Sequence, residues 1–162
     1  PVASMGGEAL VVPNVAGLVR RADGSILLQR RDKPGEDVRG RFEIPVGKWR
    51  AGETAFGAVV REVREETGLD VTVVGPPGRR GEAHPGRPFE EVQPLATVVG
   101  VGGAYPALVL VFACEGAGTP RPLAGETADP AWYRPEEVAE LLTDPSRFTG
   151  PAALALEIVL GR

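Results

Sequence analysis

The chain has 162 residues, 43% of them hydrophobic and 25% charged, a mix that fits one folded domain rather than a disordered segment. Eighteen basic against 22 acidic residues leave a net charge of −4, which argues against binding bulk nucleic acid or an anionic membrane. No apolar run approaches the roughly 18–20 residues that a membrane-spanning helix needs.

Residues 1–8 are read as a disordered or extraneous end, and residues 9–162 as a single domain. No charged-then-apolar leader opens the chain, so a cytoplasmic setting is expected. Residues 14–21 alternate as a strand, Ala22-Asp23-Gly24 turns, and residues 25–31 (SILLQRR) return as a second strand. A charged loop over 32–40 leads to a short strand, RFEIP, ending at Pro45.

The strongest helical signal covers residues 54–67. Ala55, Val59 and Val63 recur at i, i+4 and i+8, Thr54 suits the N-terminus, and Gly68 supplies a left-handed stop. A strand is expected at 71–74, then a loop over 75–88 carrying three arginines; loops of this length are usually functional or disordered. Residues 92–101 and 105–115 are read as a strand pair around Gly102-Gly103. A glycine- and proline-rich loop over 116–130 leads to Ala131-Trp132-Tyr133, and proline opens helices at 135–142 and 151–160. The lone Cys114 excludes an internal disulfide and, in the apolar run ALVLVFAC, reads as a buried small hydrophobe. With one histidine beside it, a zinc site, which takes about four such ligands, is not expected. This order of elements points to a mixed sheet with packed helices.

The chemistry concentrates in residues 47–69, GKWRAGETAFGAVVREVREETGL. On a helix, Glu62 and Glu66 lie about 40° apart, so both carboxylates leave one face, with Glu65 nearby. Three carboxylates this close repel unless cations sit among them, and hard oxygen ligands suit Mg²⁺ or Mn²⁺ completed by waters and phosphates. An isolated REVREE would read instead as a solvated face carrying an Arg61–Glu65 pair.

A resemblance carried by the surrounding residues favours the first reading. Gly47, Glu53, Arg61, Glu62, Val63, Glu65, Glu66, Gly68 and Leu69 fill every specified position of a pattern that resembles the Nudix box. The LLQRR and RFEIP strands before it and AWYRPEEVAELL near the C-terminus resemble the same family more weakly. Val46 and Arg50 depart from the usual pattern, where glycine and an acidic residue are common.

The resemblance implies an α+β fold, a mixed β-sheet sandwiched between helices, and hydrolysis of a nucleoside diphosphate linked to another moiety. It implies Mg²⁺, with Mn²⁺ as a substitute, held by Glu62, Glu66, Glu65 and the Gly47 carbonyl. Glu53 and Arg61 then form a supporting ion pair or join the catalytic set. The general base falls to Glu126 or to Glu65, with Asp129 as rival to Glu126. Arg50, Arg79 and Arg80 are candidates to grip phosphate. Pro85, sixteen residues beyond Leu69, matches a proline that marks the ADP-ribose pyrophosphatase branch, or is coincidence in a proline-rich segment. The expected partner is a small nucleoside diphosphate derivative, with a homodimer allowed. A diphosphate isomerase, which uses an active-site cysteine and an altered box, and a non-catalytic nucleotide sensor are the alternatives.

Overall fold

A computed structural model describes residues 3–101 and 106–161. Among these, eight strands form one mixed sheet. β3 (Val12–Arg20) runs parallel to β11 (Ala107–Gly116), and β10 (Ala96–Gly100) flanks β11 antiparallel. On the other side of β3 come β4 (Ile26–Arg31) and β12 (Thr127–Tyr133), both antiparallel to their neighbours. Short strands complete the sheet: β5 (Phe42–Glu43) on β4, β6 (Val46–Lys48) on β3, and β7 (Val71–Val73) on β11. Two hairpins stand apart, β1 (Ala3–Met5) with β2 (Glu8–Leu10), and β8 (Arg79–His84) with β9 (Arg87–Glu91).

Strand alternation sorts the core into two layers. Ala16, Leu18, Ile26, Leu28, Val109 and Val111 face α2 (Pro135–Leu141) and α3 (Gly150–Leu160), packing with Val138, Ala152 and Leu156. Val15, Val19, Leu27, Phe112 and Cys114 face α1 (Ala55–Thr67), meeting Ala55, Ala58, Val59 and Val63. Val59 and Val63 are fully buried, each contributing on the order of 1.5–3 kcal/mol. The helix lies close to β3 at Gly17, where a Cβ would come within 2.7 Å of Val63 Cγ2. Thr54 caps α1 by accepting from the Gly57 N–H, and Gly68 ends it at φ 70°. The sandwich is therefore the expected one. No described helix is long and apolar enough to cross a membrane.

Four expectations change. The 75–88 loop and its continuation hold the β8–β9 hairpin, which escapes the period-2 test because both of its faces are largely exposed. Phe89 lies over Gly81 across this hairpin, and Arg79 pairs with Glu91. The strand expected over 92–101 begins only after Pro94, at Ala96. The 116–130 loop ends at Thr127, because β12 passes through Pro130 at a bulge, with Asp129 at φ 48°. Finally, β6 folds back on β3 directly after Pro45. The Gly102-Gly103 turn and Tyr105 lie outside the described residues.

Candidate active site

The α1-facing side of the sheet is apolar at its centre and polar at one end. On β4 the inward phase runs Leu27, Gln29, Arg31; on β5 it falls on Glu43, between Phe42 and Ile44 of the opposite layer; on β6 it falls on Gly47. The C-terminal half of α1 lies over this end and delivers Glu62 and Glu66, one helical turn apart, or about 6 Å along the axis.

Both glutamates are buried, at 8% and 3% exposure. Glu62 sits directly on the backbone of Gly47, and any Cβ there would overlap its carboxylate. Only glycine permits this approach. Glu66 Oε2 accepts from Gln29 Nε2 at 2.7 Å and from the Val46 N–H at 3.2 Å. Gln29 Nε2 also donates to Glu43 Oε1 at 3.3 Å, and Arg31 stands 4.0 Å from that oxygen. Gln29 Oε1 has no partner among the described residues; leaving such an acceptor buried costs roughly 1–3 kcal/mol.

Burial dominates the electrostatics here. It pushes Glu66 up to about 8, with the neighbouring Glu43 charge adding to the effect. It pushes Glu43 up to about 7 despite Arg31. Glu62 is also raised by burial, against the opposing hydrogen bond from Arg61. Buried carboxylates this close do not all ionise without a counter-cation.

The outer edge of α1 is different. Arg61 donates to both oxygens of Glu53, at 2.5 and 2.9 Å, to Glu62 Oε1 at 2.5 Å, to Glu65 Oε2 at 3.1 Å and to the Lys48 carbonyl at 3.1 Å. These bonds tie the β6–α1 loop to the helix and hold the Glu53 carboxyl down at about 2. Glu65 is 42% exposed in its side chain and also meets Arg50 at 3.5 Å. Trp49 Nε1 donates to the Glu53 carbonyl, and a shallow hollow of about 480 Å³ opens beside it, lined by Pro13, Trp49, Arg50, Ala51, Gly52 and Glu53.

Glu126 stands immediately before β12, half-buried, where its charge reaches Glu43. Its carbonyl accepts from the Asp32 N–H, while Asp129 lies on the exposed bulge. Arg79 and Arg80 are not gathered with the carboxylates. Their hairpin contacts the opposite end of α1, where Glu90 Oε2 accepts from the Ala55 N–H at 2.9 Å. Pro85 forms the tip of that hairpin. Cys114 is buried on the sheet, its thiol pushed up to about 12, which makes it a poor acid, base or nucleophile.

Sequence reasoning passed over Gln29 and Glu43. The available signal was a polar residue at a core-facing strand phase, and both positions carry one.

Among the described residues, no three histidine, cysteine or acidic side chains converge closely enough to cage a metal ion alone. Mg²⁺ needs no such cage, because it binds through one or two carboxylates and completes its shell with water and substrate phosphates. Glu62 against the Gly47 backbone, Glu66 one turn away, and the all-oxygen chemistry of the set fit that requirement.

The site is thus a helix carrying inward carboxylates over a glycine-backed strand, inside a helix–sheet–helix sandwich. The NUDIX domain family model matches residues 11–150, and the chain belongs to that family. A "MutT-like protein" of Streptomyces ambofaciens is 31% identical over 131 residues, 81% of this chain and 69% of that protein. The "ADP-ribose pyrophosphatase" of Methanocaldococcus jannaschii is 40% identical over 55 residues, covering 34% of this chain and only 31% of its own length. The crystal structure of a MutT NUDIX hydrolase from Burkholderia pseudomallei superposes with a TM-score of 0.67 at 21% identity, over 93% of this chain and 98% of that one, a likeness of fold.

Proposed function

We propose that this chain hydrolyses the diphosphate linkage of a nucleoside diphosphate derivative, an ADP-ribose-like compound, a nucleotide sugar or a nucleoside triphosphate, in a Mg²⁺-dependent reaction. The observation that carries this reading is the buried Glu62–Glu66 pair beside Gly47, two acids whose ionised forms lack enough positive charge of their own. A divalent cation, held there, would supply that charge and screen the diphosphate.

Glu62 and Glu66 would hold the cation, with Glu65 and the Gly47 carbonyl completing the protein's share. Water attacks one phosphorus, the bond from that phosphorus to the bridging oxygen breaks, and the bridging oxygen leaves on the other phosphate. The proton released by the water passes to a carboxylate. Glu126, close to the buried acids and at the mouth of the 116–130 segment, is the first choice, and Glu65 the second. Arg61 and Glu53 hold the β6–α1 loop against the helix, so that Gly47 stays under Glu62. Arg50, exposed and only loosely paired with Glu65, is placed to turn toward a phosphate beside the Trp49 hollow. Arg79 and Arg80 serve substrate only through movement of their hairpin.

The test is release of phosphate products from ADP-ribose, nucleotide sugars, dinucleoside polyphosphates and nucleoside triphosphates, each with Mg²⁺. Turnover of at least one is expected. Inactivity across the panel with well-folded protein contradicts the reading.

A further inference from the structure

Glu66 is held by donors from two strands, Gln29 on β4 and Val46 on β6, and both reach the same oxygen, Oε2. Oε1 is therefore the oxygen left to meet a ligand. Gln29 is fully buried, and its amide nitrogen also bridges to Glu43, its direct partner across the β4–β5 ladder. Two carboxylates thus select the NH₂ end of the amide; turned over, its oxygen would face both of them. The unpartnered Gln29 Oε1 is the consequence. Packing alone does not explain a glutamine here, since Leu27, two positions earlier on the same face, fills the neighbouring layer with an apolar side chain.

We propose that Gln29, anchored by Glu43, is a positioning residue that fixes the Glu66 carboxylate so that one oxygen is presented to the divalent cation. This rests on the function proposed above. The supporting shell behind a metal ligand typically changes metal affinity by about 10–100-fold. Removing one donor to Glu66 while keeping the side-chain volume lowers the affinity even though the ligand itself is intact.

The probe is Mn²⁺ alone, with no substrate, titrated into metal-stripped protein well below its melting temperature and followed by the electron paramagnetic resonance signal of free Mn²⁺. Gln29→Met is expected to weaken Mn²⁺ binding at least about tenfold. Glu43→Met, which releases the anchor, is expected to weaken it less. Gln29→Asn keeps an amide but falls one methylene short of Glu66, and carries the same expectation as Gln29→Met should the methionine variant misfold. Wild-type Mn²⁺ affinity in folded Gln29→Met or Gln29→Asn overturns the inference and leaves the proposed function standing. Failure of both to fold also overturns it, by making Gln29 a requirement of the fold. The control is Glu62→Gln: if it binds Mn²⁺ as the wild type does, or the wild type binds none, the functional reading falls and this one with it.

Discussion

The two halves of the acidic face of α1 solve the same electrostatic problem in opposite ways. On the outer half, near solvent, Glu53 and Glu65 share the Arg61 guanidinium and Arg50 stands 3.5 Å from Glu65, so each of the two acids meets a cation of the protein. On the inner half, Glu66 and Glu43 lie buried around the neutral amide of Gln29, with Arg31 only at 4.0 Å and already engaged by Glu36. The outer network is complete as it stands and acts as a brace. The inner one lacks the positive charge that its ionised carboxylates need, so it gains most from an incoming cation. Glu62 joins the two, touching Arg61 on one side and Gly47 on the other.

Isosteric substitution that removes the charge tests that division most severely. Glu66→Gln should lower the rate at least about a hundredfold, the scale of an electrostatic group at an active site. The same variant should melt no lower than wild type at pH 8 without divalent cation, because it removes a buried charge that lacks compensation. Glu62→Gln should lose activity similarly. Near-normal turnover in both would remove the two buried carboxylates from the catalytic machinery.

The next effect concerns the base. Glu126→Gln should reduce the maximal rate by about tenfold or more and shift the acidic limb of the pH profile, with little change in melting temperature. Asp129→Asn, on the exposed bulge, should be mild. The reverse pattern would transfer the role to Asp129.

Glu53→Gln should behave oppositely to Glu66→Gln, lowering the melting temperature while leaving partial activity. Hydrogen bonds from Arg61 hold the Glu53 carboxyl at about 2, below its ordinary 4.5, so the native state binds fewer protons than the unfolded one between those values. The brace is fully present above that window and is lost as pH falls through it. An unchanged melting temperature with abolished activity would move Glu53 into the catalytic set.

The remaining effect is the mirror image. Glu43 and Glu66, raised to about 7 and 8, hold protons in the native state that the unfolded chain has already released. Without divalent cation, stability should therefore fall as pH rises from about 4.5 to 8, and Mg²⁺ should flatten that slope. Melting curves across this range with Mg²⁺ and with EDTA check it; superimposable curves would contradict it.

Much of this was legible in the sequence wherever a signal is local. The α1 stripe, its Thr54 cap and its Gly68 stop lie within fifteen residues, and helix and caps form as read. Strands packed on one or two apolar faces also announce themselves. The β8–β9 hairpin does not, since both of its faces are largely exposed and Phe89 lies over Gly81 rather than in an apolar layer. β12 hides behind Asp129-Pro130, a breaker in most contexts that a bulge accommodates. Gln29 and Glu43 were hidden for another reason. Their meaning comes from Glu66, 37 residues beyond Gln29, and only the folded sheet brings the three together.

The most direct test of the central claim, that the buried pair works through a bound cation, is turnover by metal-stripped protein of whichever diphosphate the substrate panel identifies. Activity should be absent in excess EDTA and return with Mg²⁺, in wild type but not in Glu66→Gln. Full turnover in EDTA after removal of tightly bound metal would contradict it.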